Sequence, residues 1–366
     1  MNILSHSRPA VFFIPHKNLF QQSIEALLEQ VDIKVGGTRP WDLCVHDRRF
    51  FRRVFLEGSM GLGEAYMDGW WDCEQLDEFF TRLLQAPAIE KRKSFHKFAT
   101  HVMAMLTNQQ TKSRSIMGIR KHYDIGNDLY HAMLDPRMIY SCGYWKEAKT
   151  LEEAQTAKLD LICKKLHLEP GMKVLDIGCG WGGFARYAAE HYGVRVLGVT
   201  ISYEQYFYAR QCSKNPDVDI RFEDYRDLDQ TFDRIVSVGM FEHVGYKNYQ
   251  TYMSTVRSCL HHDGLFLLQT IGGNQPSICT DPWFQKYIFP GSMLPSLRQI
   301  GQAIEGQFVM EDWHNFGPNY DSTLMSWHKN FCRNWNGLKS KYDERFFRMW
   351  NYYLLASAAA FRTRKN

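Results

Sequence analysis

The sequence has no apolar run approaching the roughly 18 residues needed to cross a bilayer, so any membrane contact is expected to be peripheral. The stretch AVFFI at residues 10–14 is cut by Pro15 and is too short for the core of a secretory signal. Nine cysteines are scattered with no C-x-x-C pair and no histidine spacing suited to zinc. That argues against a structural metal site and for reduced thiols in a cytoplasmic compartment. Internal repeats and low-complexity tracts are absent, and so is a strong excess of one charge: 44 Lys and Arg face 40 Asp and Glu.

What is present is length and rings. At 366 residues the chain exceeds a usual single domain, which predicts one large domain with a smaller companion. Aromatic residues make up 14%, enough to line pockets as well as pack a core. The mild net charge of +4 sits entirely in the first third, where residues 1–121 carry 17 basic against 13 acidic side chains. Residues 1–90, with turns such as FLEGSMGLGEAYMDGWW, read as a small, mainly helical N-terminal domain. Residues 91–121 hold eight Lys and Arg and no acid, with Phe95, Phe98, Val102 and Leu106 at helical spacing beside Lys93 and Lys97. Such a segment is either a basic amphipathic helix for an anionic lipid surface or a solvated linker. No nucleic-acid reading motif accompanies the charge, so nucleic acid is not an expected partner.

From about residue 150 the pattern alternates helix and strand: LEEAQTAKLDLICKKLHL, MKVLDIGCG, FARYAAEHY, RVLGVTIS, EQYFYARQCS, VDIRFEDYR, DRIVSVGMF, YQTYMSTVRSCL and GLFLLQTIG. This predicts an α/β domain over residues 122–366, an open parallel sheet with helices on both faces. In VLDIGCGWGG a strand runs into Gly178, Gly180, Gly182 and Gly183 before a helix, a turn that lets backbone approach a ligand. A glycine pattern alone is shared by many nucleotide sites. The next strand, however, ends in GVTIS, with Thr200, Ser202 and Gln205 where a dinucleotide site would carry an acid.

D-x-G-C-G-W-G-G, then GVTISxxQ, EDYRDL, DRIVSVGMFEHVG, KYIFPG and MEDWHNFGPNYDSTL, together resemble the cyclopropane fatty acid synthases over about residues 32–362. The resemblance implies a Rossmann-like class I methyltransferase sheet and S-adenosylmethionine as the methyl donor. It implies that a methylene is added across the cis double bond of an unsaturated phospholipid acyl chain. It further implies a homodimer at the inner face of the membrane. By position, Tyr140 and Ser141 would meet the methionine end of the cofactor and Gly178 and Gly180 the turn beneath it. Thr200, Ser202 and Gln205 would serve the ribose, and Asp224 and Tyr225 the adenine. A bound bicarbonate, held by groups at Cys142, Glu242, Gln269, Ile271 and Tyr320, would take up the proton lost as the ring closes.

An alkene attacking a sulfonium methyl generates a carbocation, which aromatic faces can stabilise without trapping it. A thiolate would be alkylated, so Cys142, set in YSCGYW, is read as a pocket residue with a neutral thiol. The chain departs from the family twice. LLQTIG replaces LLHTIG, so Gln269 stands where a histidine is expected, and an amide neither carries charge nor shuttles a proton. The sequence also ends at FRTRKN, where relatives continue into an apolar strand, which predicts an unpaired sheet edge. Two other readings stay open on these grounds: a lipid C-methyltransferase that does not close the ring, and a catalytically silent lipid-binding homologue.

Overall fold

The computed structural model describes residues 19–86, 125–277 and 279–365. The basic segment 91–121 lies outside the described residues. Four helices open the fold: α1 (Leu19–Glu29), α2 (Arg49–Glu57), α3 (Ser59–Met67) and α4 (Leu76–Gln85). A two-residue antiparallel pair, β1 (Cys44–Val45) with β2 (Trp71–Asp72), ties them together.

After α5 (Asn127–Met133) and α6 (Leu151–Lys165) comes the sheet: β3 (Lys173–Ile177), β4 (Arg195–Thr200), β5 (Val218–Phe222), β6 (Phe232–Val238) and β7 (Leu260–Gln269). Its spatial order is β5-β4-β3-β6-β7, and every pairing is parallel. Helices α7 (Gly183–Tyr192), α8 (Tyr203–Cys212) and α9 (Tyr249–Cys259) make the connections. Covered on both faces, the central strands read as almost unbroken apolar runs: Val174, Leu175, Ile177, Val196, Leu197, Val199, Ile235 and Val236 are all buried. The chain builds outward from β3 to β5 and then returns to the other side at β6. This reversal makes a switch point between β3 and β6, where open α/β sheets place their ligands. Among the described residues β7 pairs only with β6.

The remaining helices are α10 (Pro282–Tyr287), α11 (Leu297–Ile304), α12 (Pro318–Leu338) and α13 (Glu344–Arg362). Helix α13 does not join the sheet. It packs on α3, α4 and α12, and one apolar core runs from Ile24 and Phe50 through Trp71 and Trp283 to Trp327 and Trp350. Arg348 of α13 donates to the Trp71 carbonyl (2.8 Å) and to Asp72 (2.6 Å), and Arg362 bridges Asp77 and Asp321, each at 2.9 Å. Gly63 of α3 lies so close to α10 that a Cβ there would sit 2.4 Å from the Trp283 indole. The amino-terminal helices thus share a core with the end of the chain.

Candidate active site

A cleft opens at the carboxyl ends of β3, β4, β5 and β6, enclosing about 1160 Å³ of atom-free space, solvent at its mouth included. Tyr140, Ser141, Gly178, Gly180, Thr200, Gln205, Asp224 and Tyr225 all line it. Ser202 does not. Its Oγ instead accepts from the Gln205 N–H (3.4 Å) as the amino-terminal cap of α8. Thr200 Oγ1 accepts from the Ser202 N–H (3.2 Å) and donates to Gln205 Oε1 (3.0 Å), so the three form one local network at the end of β4.

The glycine turn is shaped for close approach. Gly178 and Gly180 take φ values of +78° and +55°, where only glycine sits without strain. A Cβ on Gly178 would lie 2.6 Å from the Met240 side chain, whereas one on Gly180 would meet nothing within 4 Å. Asp224 caps the short turn after β5 and is paired with Arg226, whose Nε and guanidinium lie 2.8 and 2.6 Å away.

In the lining, Asp176 at the end of β3 is buried, and its Oδ2 has no hydrogen-bond partner among the described residues. Burial pushes its carboxyl up to about 7, against the pull of the Lys158 charge. Lys158 itself is buried in the lining, donating to Ser141 Oγ at 2.8 Å. The glycine-rich motif contained Asp176, but its isolation was not legible there. A lysine in a helix rich in charge gave no signal of being inside.

The groups expected to hold an anion lie beside this cleft. Glu242 follows β6 in a buried 3₁₀ turn, and its Oε1 accepts from the Ile271 N–H at 2.7 Å. Among the described residues its other oxygen is buried with no hydrogen bond that meets normal geometry, and burial raises its pKa against the pull of the Ile271 N–H and the nearby Thr270 hydroxyl. Gln269 ends β7 with its carbonyl accepting from the Gly239 N–H at 2.9 Å. A Cβ on Gly239 would lie 3.8 Å from that of Ser141, so this turn touches the Tyr140–Cys142 loop. Cys142 is buried, its thiol donates to the Gly143 carbonyl at 3.3 Å, and desolvation pushes it up to about 12, leaving it neutral.

Aromatic packing extends the same region. The Tyr140 and Tyr320 rings both contact Trp327, at 5.0 and 5.9 Å between centroids, and the Tyr140 hydroxyl is 2.8 Å from that of Tyr353. Thr323 of α12 accepts from the Gly143 N–H at 3.0 Å, one turn beyond Tyr320. Cys142, Glu242, Gln269, Ile271 and Tyr320 do not line this cleft; Cys142 follows the lining residues Tyr140 and Ser141, and Glu242 falls between the lining residues Met240 and His243. His243 does line it, and burial holds its ring at about 4, neutral near pH 7.

The residues present suit a sulfonium donor: an open glycine turn, a buried carboxyl oxygen without a partner, and side chains from four strand ends. Comparison with known proteins agrees. A family model described as mycolic acid cyclopropane synthetase matches residues 110–366. The chain is 52% identical over 352 residues to the cyclopropane-fatty-acyl-phospholipid synthase of Escherichia coli K12, covering 96% of this chain and 92% of that protein. It is 37% identical over 322 residues to a probable fatty acid methyltransferase of Pseudomonas putida, covering 84% and 77%. Among solved structures, mycolic acid cyclopropane synthase CmaA1 complexed with SAH and CTAB superposes with a TM-score of 0.64 at 33% identity, over 68% of this chain and 94% of that one.

Proposed function

The chain belongs to the mycolic acid cyclopropane synthetase family and is an S-adenosylmethionine-dependent methyltransferase that transfers a methylene to lipid; on that premise we propose the details of its reaction and site. The acceptor is the cis double bond of an unsaturated phospholipid acyl chain, and the product is a cyclopropane. S-adenosylmethionine supplies an electrophilic methyl when bound. Tyr140, Ser141, Gly178, Gly180, Thr200, Gln205, Asp224 and Tyr225 hold it in the cleft, and Ser202, outside the lining, supports Thr200 and Gln205 from the cap of α8.

The observation that carries this reading is Glu242: a buried carboxyl with one oxygen bonded to the Ile271 N–H and the other without a hydrogen bond among the described residues. Methyl transfer to an alkene leaves a cation, and the aromatic faces of Tyr140, Tyr320 and Trp327 disperse its charge. The neutral Cys142 thiol is not alkylated. A proton must then leave the new methyl. Glu242, protonated or shared, orients a small anion such as bicarbonate, while Gln269, Ile271 and Tyr320 flank it. The free Glu242 oxygen supports a polar guest here, although the Ile271 N–H and the Cys142 thiol already have protein acceptors.

No helix among the described residues is long and apolar enough to cross a membrane. The enzyme acts at an anionic bilayer surface from the cytoplasmic side, as a homodimer, with residues 91–121 or the amino-terminal helices touching lipid. Leu19 and Leu56, both largely exposed on α1 and α2, suit such contact.

The test is incubation of the protein with cofactor and monounsaturated phospholipid vesicles, with and without bicarbonate. Acyl products are resolved by NMR, because methyl-alkene isomers share the mass of the cyclopropane. Cyclopropane formation that rises with bicarbonate supports the reading. Methylated or hydroxylated chains alone would show a transferase that does not close the ring.

A further inference from the structure

Within the cleft, Lys158 has no assigned role. It is 1% exposed, and Ser141 Oγ is its one hydrogen-bond partner among the described residues. Gln155, one turn earlier on the same face of α6, donates to the Ser141 carbonyl at 2.9 Å. The two side chains therefore grip Ser141 at both ends. Thr150 and Glu153 lock the start of this helix in a reciprocal cap, so the grip stands on a rigid element.

The charged and titratable groups facing Lys158 are Asp135, Asp176 and the Cys142 thiol. Asp135 is already engaged, accepting from the N–H groups of Arg137 (3.1 Å) and Ile139 (2.8 Å). Cys142 is neutral. Asp176 is not engaged: its buried Oδ2 lacks a partner, and Lys158 is the single charge drawing its carboxyl toward ionisation. Burial of an ammonium and a carboxyl that do not bond each other is costly, and a cationic ligand entering beside Asp176 would relieve it.

We propose that Lys158 is a positioning residue of the sulfonium-donor site, anchored through Ser141, that keeps Asp176 available as a carboxylate to offset the donor's positive charge. This rests on the cofactor assignment made above for the cleft. A consequence is proton linkage. Before a ligand binds, burial leaves Asp176 titrating at about 7 and Lys158 at about 8, so at mildly acidic pH the carboxyl is mostly protonated. Binding a cation beside it favours the ionised form and expels that proton. Of the other groups around the cleft, His243 is already neutral, Asp224 is held by Arg226, Glu223 is paired with Arg221 at 4.0 Å, and burial drives the Cys179 thiol and the Tyr252 hydroxyl upward, beyond this range. Lys158 and the α-amino group of the ligand titrate at about 8, so release near pH 6.5 is the part that reports Asp176.

The experiment is calorimetric titration of S-adenosylmethionine and S-adenosylhomocysteine between pH 6 and 9, in two buffers of different ionisation enthalpy. With S-adenosylmethionine the wild type should release most of one proton near pH 6.5 and less near pH 8.5, with affinity falling about tenfold per pH unit on the acid side; S-adenosylhomocysteine, which lacks the sulfonium charge, should release less near pH 6.5. Lys158→Met removes the charge that lowers Asp176, so its inflection should move up by roughly one pH unit or more. Affinity should be preserved near pH 9 and weakened about tenfold near pH 6.5. Lys158→Arg, which keeps the charge, should keep the wild-type inflection even if binding is weaker overall.

A Lys158→Met curve parallel to the wild type, or a wild type that releases no proton, overturns the inference. Should Lys158→Met not fold, the wild-type proton release and the Lys158→Arg inflection decide it. A folded wild type that binds neither ligand at any pH removes the cofactor assignment itself. Binding without pH dependence removes only the role of Lys158.

Discussion

Glu242→Gln separates chemistry from folding, because the amide has the shape of the carboxyl and opens no cavity. In the wild type Oε1 accepts the Ile271 N–H at 2.7 Å, while Oε2 is buried with no partner and burial raises the pKa above 4.5. For an acid, a folded pKa above the unfolded one means that the ionised form is disfavoured in the fold. The resulting cost is absent below the unfolded pKa and grows as pH rises toward and through the folded one. Gln removes the titration. The variant should therefore match the wild type near pH 4 and exceed its stability near pH 8, by about 1.4 kcal/mol for every tenfold that the fold weakens the acid. Activity should move the other way. Loss of an acid/base group that orients the proton acceptor lowers turnover by about 10²- to 10⁴-fold, and added bicarbonate should no longer raise it. Urea unfolding at the two pH values gives the first quantity, and cyclopropane formation on monounsaturated vesicles gives the second. Turnover within about threefold of wild type would refute the role given to Glu242. So would a loss of activity that merely follows a loss of folded protein.

Further outcomes follow from other contacts. Gly178→Ala imposes a side chain at φ +78° against Met240 and should cost about 1–2 kcal/mol in thermal unfolding, with cofactor affinity down at least about tenfold by calorimetry. Glu64 is buried but bonded by Lys286 (2.6 Å), the Tyr287 hydroxyl (2.7 Å) and Arg53, which together outweigh desolvation and hold it at about 2. Its contribution, roughly 2 kcal/mol after allowance for partial exposure, is present above pH 4.5 and lost as pH falls toward about 2. The urea midpoint of Glu64→Gln should thus be lower at pH 6 and change less between pH 6 and pH 3 than that of the wild type. Gln269→His introduces a group that titrates near neutrality, and the bicarbonate concentration giving half-maximal turnover should fall and become pH-dependent. Vesicle co-sedimentation should weaken with salt and with removal of anionic lipid; indifference to both would count against an electrostatic membrane contact.

Much of the sheet was readable before any coordinates. The five strands were expected in order from the alternation of strand and helix patterns, and α7 lies between Gly182 and Gly193 while Ser202 caps α8. The strand GLFLLQTIG begins earlier than expected, at Leu260, which pairs with Phe232 of β6; residues 261–264 form an irregularity before regular pairing resumes at Leu265. The course of α13 is not legible in the sequence. Its apolar residues Trp350, Leu354, Ala358 and Phe361 find their partners in α3, α4 and α12, a hundred or more residues away for two of the three.

Local spacing determined the alternating pattern, the glycine turn at Gly178 and Gly180, and the motif blocks that named the family, since all of these are written in neighbouring residues. Tertiary structure alone decided that Lys158 is inside. Leu151, Gln155, Lys158 and Ile162 share one helix face, and nothing in that face says whether the lysine reaches solvent or lies beneath another segment. The Tyr140–Cys142 loop settled it by folding over α6, because an ammonium's state depends on what surrounds it in space, and Ser141 and Asp176 come from either side of it along the chain.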